Sequence, residues 1–136
     1  PPAPDHPKGG EIDIFETIDK ENVAYQTVHS NWTLTLKKNR EPLNAFRVPT
    51  SVSKWHVYGL EWDERKLVWT IDGRVVASYA KSEDKKALEN GQWPFDAPFY
   101  IIINQSVGNG RWADKPDTDY VYETKVDWIR VYQKNS

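Results

Sequence analysis

Three carboxylates, Glu11, Asp13 and Glu16, fall within the run Gly-Glu-Ile-Asp-Ile-Phe-Glu at residues 10–16. A strand sends alternate side chains to opposite faces, so Glu11 and Asp13 share one face, with Ile12 and Ile14 on the other. Phe15 breaks the alternation. If one residue of the Ile14-Phe15 pair is absorbed in a β-bulge, the phase resets and Glu16 rejoins the face of Glu11 and Asp13; bulges re-aim side chains in this way beside active sites. Three carboxylates held that close raise at least one pKa and cost stability. One ionised carboxylate acting as nucleophile or base, beside another that keeps its proton, is the machinery of glycosidic-bond hydrolysis. An ordinary acidic edge strand has the same spacing, so spacing leaves both readings open.

The elements around this run have to position it. Residues 1–10 are rich in Pro and Gly and read as a loop, in which His6 is most simply a solvated histidine. Residues 19–22 form a turn, and the run at 23–29 follows as a strand antiparallel to the first. One face of that second strand carries Val23, Tyr25, Thr27 and His29. His29 can therefore look onto the carboxylates, or be a structural histidine held by a backbone carbonyl. Thr33-Leu34-Thr35-Leu36 reads as a short strand, and residues 41–53 as loop with short extended pieces. Residues 55–62 alternate as a strand. Residues 67–79 form the plainest hairpin, two β-rich runs around Asp72-Gly73. Residues 82–89 are the one helical fragment, capped by Ser82 and ended by Asn90-Gly91. Residues 99–105 are a continuous apolar run that reads as a central strand, and 120–123 and 125–133 read as closing strands. Many short strands with almost no helix predict an all-β, antiparallel β-sandwich.

Composition narrows the partners. The 136 residues suit one domain, and the formal net charge is only −2 with both signs interspersed. No basic stripe suggests nucleic acid, and no apolar run is long enough for membrane insertion. There is no cysteine, which excludes disulfides and thiolate chemistry. Seven Trp and seven Tyr are the more telling feature. Some pack a core, and others can offer flat faces to sugar rings. Trp112, in a glycine-punctuated loop, is the leading aromatic platform.

Taken together, these segments resemble glycoside hydrolase family 16, and especially its laminarinase-like branch. The resemblance covers essentially the whole chain. It rests on residues 10–16, Thr-Val-His-Ser at 27–30, Trp-His-Val-Tyr-Gly-Leu-Glu-Trp at 55–62, Ile-Asp-Gly at 71–73, Trp-Pro-Phe-Asp at 93–96 and Val-Asp-Trp-Ile-Arg-Val-Tyr at 126–132. It implies a jelly-roll (concanavalin A-like) sandwich with an open cleft for a polysaccharide, cleaved with retention of configuration. Glu11 matches the family nucleophile, Asp13 the assisting carboxylate and Glu16 the general acid/base. His29 resembles a histidine beside the catalytic strand, which orients a carboxylate or binds substrate. Trp93 and Trp112 resemble aromatic residues lining the cleft, with Asn104 and Gln105 as hydroxyl partners. Trp93 fits equally well as a core residue beneath its loop. No cofactor is implied for catalysis; Asp127 resembles a position that in many members helps hold a structural calcium.

The implied substrate is a β-1,3- or mixed-linkage glucan. An endo-β-galactosidase acting on galactan, keratan or mucin-type glycans shares the same catalytic strand, and a non-catalytic carbohydrate-binding sandwich is the alternative of another class. Location would be secreted, periplasmic or cell-surface. Family members carry further strands upstream of the motif, so residues 1–136 are expected to be the C-terminal portion of one catalytic domain, incomplete by itself and held against a complementary N-terminal fragment. A retaining pair stands about 5–5.5 Å apart, whereas four regular strand steps cover about 13 Å. Glu11 and Glu16 can meet that requirement only on a curved or bulged strand.

Overall fold

The computed structural model describes residues 5–133, so Pro1, Pro2, Ala3 and Pro4 of the predicted loop lie outside it. The chain divides between Tyr100 and Ile101 into two units. In the first, β1 (Glu11–Glu16), β2 (Val23–His29) and β3 (Ala45–Pro49) form an antiparallel sheet in that order. A second antiparallel sheet joins β4 (Tyr58–Trp62), β5 (Lys66–Ile71) and β6 (Arg74–Ala80).

The two sheets bury a shared core, which is what makes the unit a sandwich. Val28 from β2 meets Leu67 and Trp69 from β5, Ala77 and Tyr79 from β6, and Trp93 and Phe95 from the following loop. Ile12 and Phe46 pack against this cluster from the first sheet. Trp69 and Tyr79 are fully buried, and each large apolar side chain so placed contributes roughly 1.5–3 kcal/mol. The alternation of β2 explains its orientation. Ala24, Gln26 and Val28 point inward, while Tyr25, Thr27 and His29 stay half-buried on the opposite face.

The Asp72-Gly73 hairpin forms as expected between β5 and β6. Both turn residues have positive φ, 52° and 77°, the requirement of a tight two-residue turn whose twist matches the strands. Asp72 also accepts the Val57 N–H at 2.9 Å and lies 2.7 Å from His56 Nδ1. The chain entering β4 is thereby tied to the hairpin.

Local chemistry overrides periodicity in several places. The Thr-Leu alternation after β2 does not make a strand; Asn31–Thr35 is a π-helical turn. Ser30 and Thr33 cap each other, each hydroxyl accepting the other's backbone N–H, and this satisfies locally the donors a strand partner would have taken. β3 is one of the short extended pieces expected within residues 41–53, whereas β4 begins only at Tyr58. The helix α1 is shorter than expected, Lys85–Glu89, with Asp84 rather than Ser82 as its cap.

The second unit holds the largest departure. Residues 99–105, 120–123 and 125–133, all read as strands, carry no strand among the described residues. Among the described residues of this unit, backbone hydrogen bonds run locally from Gly110 to Ala113 and from Tyr120 to Asp117. Ile101, Ile102, Ile103, Val126 and Ile129 are exposed. β-propensity becomes a strand only where a neighbouring strand takes up the ladder.

Candidate active site

The register between β1 and β2 decides where the carboxylates go. Glu11 pairs with His29, Asp13 with Thr27 and Glu16 with Tyr25, with a shift between Asp13 and Glu16. Three steps on β1 match two on β2, so one extra residue sits in the Ile14-Phe15 region. This is the bulge expected from phase. It returns Glu16 to the face that carries Glu11, Asp13 and His29. Two contacts hold the distortion: Trp69 Nε1 donates to the Asp13 carbonyl oxygen at 2.9 Å, and Phe15 packs on Tyr58 of β4 at 4.2 Å between ring centroids.

Gly10 feeds the chain into β1 with φ +81°. A Cβ there would stand 2.7 Å from Pro94 Cγ and 2.9 Å from Phe95 Cε1, so only glycine lets the strand enter so close to the core. The preceding turn is closed by hydrogen bonds from Lys8 N to Asp5 O (2.7 Å) and from Gly10 N to Pro7 O (3.1 Å). It brings His6 Nε2 to 2.7 Å from Glu11 Oε2. The carboxylate lies off the N–H direction, leaving His6 Nε2 without an aligned acceptor; the contact is an ion pair in distance rather than a straight hydrogen bond. His6 is thus not the solvated loop histidine expected from its surroundings. The available signal was the compact Pro-Lys-Gly-Gly turn that separates it from Glu11.

His29 approaches from β2, its Nε2 3.4 Å from Asp13 Oδ2. That oxygen is buried and has no hydrogen bond of good geometry. Burial, the charges of Glu16 and Glu11, and a hydrogen bond with Glu11 together push the Asp13 pKa up to about 8. Glu16 is raised as well, by burial first and then by the charge of Glu11. His29 is lowered by burial and by His6, against the opposing pull of Glu11. Near neutral pH this leaves Asp13 carrying a proton beside Glu11 and Glu16 biased towards its acid form. Burial and mutual charge thus set Asp13 and Glu16 apart from ordinary carboxylates as groups that hold a proton more tightly.

Glu11, Asp13 and His29 present ligand atoms within 4.8 Å of one another, a spacing that would suit a divalent ion. The histidine contacts on both acids also fit a proton-sharing set, and we read the trio that way. Among the described residues, no group of three ligating side chains includes Asp127. Calcium takes six to eight oxygens, so a site at Asp127 needs donors beyond its one carboxylate.

The structure brings Glu11, Asp13, Glu16 and His29 together and moves Trp93 elsewhere. Trp93 is buried in the core, stacked parallel to Tyr79 and edge-on to Phe95. Its indole N–H donates to Asp96 at 3.1 Å. A ring packed in this way has no free face for a sugar, which corrects the cleft-lining expectation. Asn104, Gln105, Trp112 and Asp127 are exposed residues of the second unit. A hollow of about 580 Å³ lined by Trp62, Glu64, Lys81 and Asp96 includes none of Glu11, Asp13 and Glu16.

An antiparallel sandwich with a bulged acidic strand on one face is the setting of a carbohydrate-active fold, and sequence comparison agrees. The model of Glycosyl hydrolases family 16 matches residues 3–130, and the chain belongs to that family. It is 32% identical over 136 residues to a beta-glucanase of Rhodothermus marinus, covering 93% of this chain and 46% of that protein. It is 29% identical over 127 residues to a keratan-sulfate endo-1,4-beta-galactosidase of Sphingobacterium multivorum, covering 93% and 29%. Among solved structures, a chain described with endo-acting O-glycanases that initiate mucin breakdown superposes with a TM-score of 0.54 at 30% identity, covering 69% of this chain and 39% of that one. The laminarinase of Rhodothermus marinus gives a TM-score of 0.50 at 28% identity, covering 67% and 37%. These relatives place the sandwich in the jelly-roll class. The chain spans less than half the length of each of them.

Proposed function

We propose that the protein is an endo-acting retaining β-glycanase, in which Glu11 is the nucleophile, Asp13 its proton-sharing partner and Glu16 the general acid/base. The bulge that returns Glu16 to the face of Glu11 and Asp13, each now in a different electrostatic setting, is the observation that carries this reading. Glu11 attacks the anomeric carbon while Glu16 gives its proton to the departing glycosidic oxygen. The glycosyl–Glu11 ester is neutral. The charge that helps to hold Glu16 protonated has then gone, so Glu16 can take a proton from water as that water attacks the anomeric carbon and Glu11 leaves as the carboxylate. His29, uncharged near neutral pH, supports Asp13 from the neighbouring strand.

We infer a β-1,3- or mixed-linkage glucan as substrate, supported by the beta-glucanase relative. A second reading, an endo-β-galactosidase acting on keratan or mucin-type glycans, has support from the keratan-sulfate-cleaving relative and the O-glycanase structure. Asn104, Gln105 and Trp112 remain our candidates for substrate contacts. The proposal treats residues 1–136 as the C-terminal portion of one catalytic domain completed by an N-terminal portion. Because a polymeric substrate is met outside the cytoplasm, we expect the whole protein to be secreted, periplasmic or cell-surface.

The test is a hydrolysis screen of the whole protein on laminarin, lichenan, agarose, keratan sulfate and mucin glycans, with NMR of the first-formed anomer. Retention and internal cleavage are expected. Replacing Glu11 or Glu16 by Ala should cost on the order of a thousandfold or more in turnover. Near-normal activity in either variant overturns the assignments, and binding without cleavage by the wild-type protein favours a carbohydrate-binding sandwich.

A further inference from the structure

His6 lies outside the three-carboxylate scheme, yet it makes the closest contact to it. Its Nε2 stands 2.7 Å from Glu11 Oε2, and the imidazole is largely shielded from water. A built turn puts it there. Backbone hydrogen bonds from Lys8, Gly9 and Gly10 close the loop on Asp5 and Pro7, and Gly10 seats the loop's exit against Pro94 and Phe95, where any side chain would collide.

We propose that His6 is a positioning residue for Glu11, an imidazolium held beside the carboxylate so that the nucleophile stays ionised and aimed while two other acids crowd it. This rests on the reading of Glu11 as nucleophile. The surroundings support a cation at that place. Asp13 and Glu16 are both biased towards their acid forms and both feel the charge of Glu11, which leaves Glu11 as the carboxylate most in need of a counter-charge. His29 cannot serve in that way, because burial holds it towards the neutral form and its contact is with Asp13. Of the charged and titratable groups around His6, Glu11 from β1 pairs with it and His29 from β2 interacts with it through charge, while Asp5 and Lys8 belong to its own loop. The loop packed beneath Gly10 presents the apolar Pro94 and Phe95.

The consequence is a pH signature. Removing the cation makes ionisation of the nucleophile harder, so the acid limb of the kcat/KM profile of the whole protein should move to higher pH. In His6→Ala the expected shift is about one pH unit, with kcat falling about tenfold and KM little changed. His6→Lys keeps a positive charge and should return the limb towards its wild-type position. A role confined to loop packing would lower activity in both variants without moving the limb, and that result overturns the proposal.

A second measurement does not depend on turnover. In the stability cycle of His6→Ala, Glu11→Gln and the double variant, unfolding constants at pH 6 should depart from additivity by about fivefold, and the departure should be smaller at pH 9. Strict additivity at pH 6 overturns the pairing. Should the wild-type protein cleave none of the polysaccharides while the cycle is non-additive, the glycanase reading fails and the His6–Glu11 pair stands.

Discussion

Replacing Asp13 by Asn should make the protein more stable and almost inactive at once. The Asp13 side chain is only 11% exposed, and its pKa is pushed from 3.8 to about 8 in the folded chain. A folded-state value above the unfolded one means the folded protein holds a proton that the unfolded chain has released. The favourable contribution is therefore complete below pH 3.8 and is lost as pH rises through about 8. At pH 7 the loss amounts to 3.2 units, a ceiling of roughly 4 kcal/mol at about 1.4 kcal/mol per unit. Asp13 titrates together with its charged neighbours rather than alone, so about 2 kcal/mol is the working expectation. Asparagine occupies the same space, bears no titrating group and can donate an N–H to Glu11. Urea unfolding of wild type and Asp13→Asn, followed by tryptophan fluorescence at intervals from pH 4 to pH 8.5, reads the difference directly. The two should be nearly equal at pH 4, with the variant gaining steadily towards pH 8. A gap that is flat with pH, or a variant less stable at pH 7, would refute the account of Asp13 as a proton holder strained by burial.

The remaining predictions concern what holds the acidic strand in place. Trp69→Phe removes the N–H that binds the Asp13 carbonyl and should cost about 1–3 kcal/mol in denaturant unfolding while lowering turnover through a looser bulge; unchanged stability would remove Trp69 from that role. Gly10→Ala meets both a positive φ and a Cβ only 2.7 Å from Pro94 Cγ, so a loss of at least about 2 kcal/mol is expected in the same assay, and a neutral result would contradict the close entry of β1. Gln26 is 1% exposed, and neither of its side-chain polar atoms has a partner. Gln26→Leu should raise the unfolding free energy by about 1–2 kcal/mol, and a fall would show that the amide is satisfied in the native protein.

Sequence alone determined the face on which the three carboxylates stand. A period of two put Glu11 and Asp13 together, its interruption at Phe15 called for a bulge before Glu16, and the short turn at 19–22 laid His29 alongside; each is a local rule acting over a few residues. The same rules misjudged Thr-Leu-Thr-Leu, where Ser30 and Thr33 satisfied each other, and the apolar runs beyond Tyr100, because a strand depends on a partner that no local pattern supplies. Other properties depended on distance through space. Trp93 became core because Tyr79 and Phe95 stand on either side of it, although nothing in Trp-Pro-Phe-Asp separates a platform from a plug. Asp13 became a proton holder because packing removed its water and placed Glu11 and Glu16 nearby. His6 joined the carboxylates because a turn five residues upstream folded back onto them. Burial and charge proximity are sums over neighbours from several elements, so only the tertiary structure could divide three similar acids into different roles.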